Sequence, residues 1–106
     1  MATIKINSLT CVEPQDSISE DEIDVFIGGV KVAGTFGVHK GETVKLNLAP
    51  RSFTGATTVQ LREIDSNSDY DNLGLRSVSD RPVTGVSMNF DAAKHAFYTV
   101  NYTVAA

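Results

Sequence analysis

The chain has one cysteine, Cys11, which excludes an intramolecular disulfide and a zinc cluster built on thiolates. Cys11 alternates with Leu9 in an apolar run and reads as a small core residue rather than a reactive thiol. No apolar run approaches the roughly 18 residues of a membrane-spanning helix. The opening residues, Met1-Ala2-Thr3-Ile4-Lys5, lack the charged start and apolar stretch of a secretory signal. The expectation is a cytoplasmic protein or one exported by a leaderless route. Positive charge is sparse: the nine basic residues stand singly, the net charge is −4 and the isoelectric point lies near 4.9. Nonspecific nucleic-acid binding needs clustered Lys and Arg against phosphates, so it is excluded. Helical periodicity is missing too.

The periodicity that is there has a repeat of two. Ile4 and Ile6 alternate with Lys5 and Asn7, and Ile23, Val25 and Ile27 with Asp24 and Phe26. Val44, Leu46 and Leu48 alternate with Lys45 and Asn47, and Val59 and Leu61 with Gln60 and Arg62. Towards the end, Phe97, Thr99, Asn101 and Thr103 oppose Tyr98, Val100, Tyr102 and Val104. Each run suits a strand with one buried face. Ile4 and Ile6 share one phase and Leu9 and Cys11 the other, which predicts a β-bulge near Asn7-Ser8. Gly28-Gly29, Gly34, His39-Lys40-Gly41, Pro50, Gly55, Gly74, Arg81-Pro82 and Asp91 supply the turns. At 106 residues the expectation is one domain, an antiparallel β-sandwich of seven or eight strands.

Against this background the acidic residues are unevenly placed. Ten of thirteen fall in two windows without Lys or Arg, Glu13–Asp24 and Glu63–Asp71. Like charges crowded on one segment repel unless something cancels them. A hard divalent cation does so: calcium takes oxygen ligands, mostly carboxylates and carbonyls, from flexible loops. Both windows read as interstrand loops. If they share one end of the sandwich, their carboxylates converge.

The segment from Leu61 to Gly74 resembles the third calcium-binding loop of C2 domains. Glu63, Asp65 and Asp71 stand at its acidic places, and Leu73-Gly74 supplies the closing apolar-Gly step. The upstream segment from Asp16 to Val25 resembles the first loop, in which a second acid opens the next strand six residues after the first. Glu22 has that spacing from Asp16, and Asp21 competes with it. Glu63 and Glu22 replace the family's usual Asp, and Ile23-Asp24 stands where the family has Pro-Tyr. The resemblance implies a compact, divergent C2-like sandwich holding one or two Ca2+ ions. Asp65 would bridge or anchor them, with Asp16, Glu63 and Asp71 completing the first shell. Asp21, Glu22 and Asp69 are further candidates, and the carbonyl of Ile64 a further oxygen donor. Asp65, Asn67 and Asp69 also match the start of an EF-hand loop, but Tyr70 occupies its glycine position and Arg76 its closing glutamate. The Asp71-Asn72 pair matches the start of a βγ-crystallin motif, whose Ser or Thr is displaced here to Ser77.

Such modules attach to membranes or proteins when calcium binds. Ile18 and Tyr70 top the two loops and are the candidate membrane contacts, with anionic lipid or a protein as partner. The competing expectation is a calcium-stabilised structural, assembly, adhesion or toxin-accessory module without lipid binding. An enzyme is not expected: His39 and His95 have no sequence-level partners for a nucleophile triad.

Overall fold

The computed structural model describes residues 1–15, 20–66 and 69–106. Nine strands follow one another: β1 (Ala2–Glu13), β2 (Asp21–Ile27), β3 (Val30–Val38), β4 (Thr43–Lys45), β5 (Arg51–Phe53), β6 (Ala56–Ser66), β7 (Asp69–Ser79), β8 (Val83–Phe90) and β9 (Phe97–Ala105). No helix occurs among the described residues. One sheet has the order β4-β1-β9-β8, with β5 also paired to β1; the other runs β3-β2-β6-β7. All pairings are antiparallel.

The ninth strand arises from a break. β4 pairs with Ser8–Thr10 and β5 with Ala2–Ile4, so both border one edge of β1. The expected alternation through Leu46 and Leu48 stops at Lys45 because Asn47 adopts a left-handed φ of 45°. The backbone amides of Leu46 and Asn47 both turn to the Asn7 carbonyl, at 2.9 and 3.2 Å.

Asn7 is the bulge expected from the phase change. β1 pairs Ile6 with Tyr102 and then Ser8 with Asn101, leaving Asn7 as the extra residue. Its Nδ2 donates to Asn101 Oδ1 at 2.9 Å and to Thr103 Oγ1 at 3.2 Å. The slip turns Ile4 and Ile6 inward together with Leu9 and Cys11, and all four are fully buried. They meet Tyr98, Val100 and Phe90 from the same sheet and Ile23, Val25, Val59, Leu61 and Leu73 from the other.

β3 gave little periodicity because it is an irregular edge strand. Gly34, at φ +117°, passes so close to β2 that a Cβ there would stand 2.6 Å from the Ile23 carbonyl oxygen and collide with the Asp24 carboxylate. Asp24 is thereby enclosed. It accepts a hydrogen bond from Thr35 Oγ1 at 2.6 Å and pairs with Lys31 at 3.3 Å.

Candidate metal centre

The inner face of the β3-β2-β6-β7 sheet is apolar along most of its length and acidic at one end. On β6 the inward row runs Val59, Leu61, Glu63; on β2 it runs Asp21, Ile23, Val25, Ile27. Ile23 pairs with Glu63, which sets the start of β2 beside the far end of β6. β7 then returns Asp71 directly opposite Glu63. The register slips between Ile64 and Ser66, leaving Asp65 unpaired at the hairpin end. One carboxylate oxygen each from Glu63, Asp65 and Asp71 lies within 4.8 Å of the others. Glu63 is buried, Asp71 half-buried and Asp65 exposed. Three carboxylates so spaced are a set that one metal ion can hold.

The local electrostatics are unfavourable without a positive partner. Like charges directly opposite on paired strands destabilise a sheet. Burial pushes the Glu63 carboxyl up to about 7; the hydrogen bond with Asp65 and the charges of Asp65 and Asp21 push the same way, while the Glu22 backbone N–H opposes them. That N–H donates to Glu63 Oε2 at 3.2 Å. Two acids of the first window are better compensated, and a third lies beside a histidine. Glu13 pairs with Lys40 at 2.9 Å, Asp24 with Lys31, and Glu20 lies 3.4 Å from His39. Among the described residues, no basic side chain pairs with Glu63, Asp65 or Asp71.

Asp21 closes the inner side of the group. It is fully buried, and its Oδ2 accepts the Gln15 backbone N–H at 2.7 Å and the Tyr98 hydroxyl from the opposite sheet. Burial, together with the bonds to Asp21 and Cys11, raises the Tyr98 phenol far above its ordinary range. Burial likewise raises the Cys11 thiol, which suits its place in the core. Gln15 Nε2 donates to Asp71 Oδ2 at 2.7 Å. Gln15 Oε1 is buried and accepts no hydrogen bond among the described residues.

The outer face of the same hairpin carries a stack. The Arg62 guanidinium lies 4.2 Å from both the Phe26 and the Tyr70 ring centroids. Adjacent strand residues point to opposite faces, so Arg62 braces the hairpin from behind while Glu63 faces in. Arg62→Ala is expected to lower stability by about 1 kcal/mol, with a lowered urea midpoint as the readout. An unchanged midpoint would mean the stack does not brace the hairpin.

The sequence candidates separate as follows. Glu63, Asp65 and Asp71 come together, with Asp21 beside Glu63. Strand alternation turns Glu22 to solvent, away from Asp21. Asp69 is exposed at the start of β7, and Ile64 lies on β6 opposite Tyr70. Tyr70 is 45% exposed but is engaged by Arg62. Asp16 and Ile18 lie outside the described residues. The second acidic window is not the long loop expected. β6 extends to Ser66 and β7 resumes at Asp69, so all four of its acids stand on strands. Two groups at the site, Gln15 and Tyr98, were missed. Neither is acidic, and Tyr98 joins Asp21 from 77 positions away.

No protein-family model matches the chain. No curated protein matches it either. A solved structure described as "Structure of a C2 domain" matches with a TM-score of 0.61 and 13% sequence identity, covering 100% of both chains. The fold is C2-like, and the low identity fits a divergent sequence.

Proposed function

We propose that this chain is a calcium-binding β-sandwich module whose ion is held by Glu63, Asp65 and Asp71. The observation that carries the reading is the convergence of these carboxylates within 4.8 Å of one another. Oxygens bound to opposite sides of one calcium at ~2.3–2.6 Å lie roughly 5 Å apart, so the spacing suits shared ligation. The donors are all oxygens, the chemistry of a hard cation rather than zinc or copper. Gln15, whose Nε2 donates to Asp71 Oδ2, brings the β1–β2 connection up to them. Asp16, from the β1–β2 connection, completes the set proposed from sequence.

Calcium would neutralise the acidic end of the sandwich and make it competent for calcium-dependent attachment to a membrane or a protein. One observation favours the second reading, a calcium-stabilised structural or assembly module. Tyr70, the described candidate for membrane contact, has one face of its ring already covered by Arg62. Liposome pelleting and sizing chromatography, each with and without calcium, separate the two.

The ligand assignment is tested by titration calorimetry on two variants. Asp65→Asn should weaken calcium binding by about tenfold or more, because affinity follows the ligand charge count. Asp80→Asn, in the connection after β7, should bind like the parent chain. Equal effects of the two changes would remove Asp65 from the site.

A further inference from the structure

We propose that the free edge of β8 pairs with β8 of a second copy of this chain, antiparallel and about a twofold axis at Val86. This goes beyond the calcium reading and holds whether or not an ion binds. Four edges bound the two sheets: β8, β3, β7, and the β4–β5 side of β1. An exposed edge offers unpaired backbone N–H and C=O groups to any other strand, and proteins block such edges with charges, short strands or irregular backbone. Three of the four are blocked in these ways. β4 and β5 have three residues each and carry Lys45 and Arg51. β3 carries Lys31 and breaks register twice against β2. β7 carries Asp69, Asp71 and Arg76. β8 runs eight residues, Val83–Phe90, without a charge. Its one irregularity is turned the other way. The ladder to β9 slips between Val83 and Val86, where the Gly85 N–H donates to Thr103 Oγ1 at 3.1 Å and its carbonyl accepts from Asn101 Nδ2 at 3.0 Å. Both backbone groups of Gly85 are therefore used on β9.

The placement of charge around β8 points to a second copy as the partner. Arg81 and Asp91 stand five positions before and five after Val86. Both are exposed, and neither is in a salt bridge among the described residues. With Val86 opposite its own copy in an antiparallel pair, Val83 meets Asn89 and Arg81 comes beside Asp91 of the other copy. The twofold repeats that ion pair at the far end of the ladder. Pro82 has no N–H to give and ends the pairing on each side. Val86, 36% exposed, supplies the apolar contact at the axis. Parallel pairing in register would instead set Arg81 against Arg81 and Asp91 against Asp91. The antiparallel pair joins the two β4-β1-β9-β8 sheets into one continuous sheet.

A contact of one strand on one strand is a narrow, weak interface. Sedimentation equilibrium is therefore carried up to about 1 mM protein, in chelator and in calcium alike. The expected result is a concentration-dependent dimer in both. Val86→Lys changes an exposed edge position, so the fold survives, but it sets like charges against each other at the axis and should abolish the dimer. Arg81→Glu and Asp91→Arg each bring like charges together at both ends, and each should weaken dimerisation about tenfold or more. Mixed in equal amounts, these two variants should form a heterodimer about as tight as the parent dimer. In the mixture the new Glu faces the new Arg, and the retained Asp91 faces the retained Arg81. A misfolded variant cannot show that rescue. A chain that stays monomeric at every concentration overturns the inference. So does a dimer that Val86→Lys leaves intact, or one whose two charge variants gain nothing on mixing, because either would use another surface.

Discussion

In excess calcium the thermal midpoint of this chain should rise by roughly 10 °C or more above its value in chelator. A ligand that binds only the folded state stabilises it by about 2.7 kcal/mol at a hundredfold excess over its dissociation constant. For a domain near a hundred residues, each kcal/mol moves the midpoint by several degrees. The physical source of the gain lies in how the fold spends its charges. Glu63 and Asp71 face each other across a β-ladder, Asp65 stands at its end, and no basic side chain pairs with them among the described residues. The ion would convert this repulsion into attraction and tie β6 to β7 beside the connection between them. Magnesium should give a smaller shift, because it demands near-ideal octahedral geometry and dehydrates reluctantly. Carboxylates fixed on strand ends cannot readily rearrange to meet that demand. No shift with calcium, on protein shown free of carried-over metal, would reduce the cluster to a solvated acidic end of a C2-like sandwich.

The parts of the fold visible in the sequence are those where one face of a strand is buried. Ile23, Val25 and Ile27, Val59 and Leu61, and Tyr98, Val100 and Val104 alternate because they line the core, and they announce β2, β6 and β9. The Asn7 bulge was legible for the same reason, since a single extra residue flips the phase of all that follow. β3, β7 and β8 are sheet edges with largely exposed side chains, so burial imposes little pattern on them. β7 also hid behind its acids: Asp69 and Asp71 looked like loop residues, yet they are paired with Ser66 and Glu63. The site divides in the same way. Spacing two apart put Glu63 and Asp65 on one side of a strand, which local sequence can express. The choice between Asp21 and Glu22 depends on which of them faces inward, and that is set by the pairing of Ile23 with Glu63. The Tyr98 bond to Asp21 crosses from one sheet to the other, and no local pattern encodes it.

The metal-free chain should lose stability as pH rises from about 4.5 to about 7, and calcium should reverse that trend. Glu63 carries the argument. Its carboxyl is pushed up to about 7 in the fold, first by burial and then by Asp65 and Asp21, against an ordinary value of 4.5. Between these values the folded state holds a proton that the unfolded chain has released. Stability therefore falls with pH across this interval. The favourable contribution is complete below 4.5 and gone above about 7. At ~1.4 kcal/mol per pH unit the interval amounts to roughly 3 kcal/mol, reduced by solvent screening at the open end of the sandwich. In effect the proton on Glu63 occupies the place proposed for the ion. Calcium needs the deprotonated carboxylate, so its affinity should grow with pH until Glu63 is fully ionised. Urea midpoints measured from pH 5 to pH 8 should thus diverge, falling in chelator and holding or rising in excess calcium. Glu63→Gln supplies the control: the amide cannot ionise, so the fall in chelator should flatten and the calcium response should weaken. Parallel curves in chelator and calcium would show that no ion competes with the Glu63 proton. An unchanged slope in Glu63→Gln would assign the pH dependence to another group.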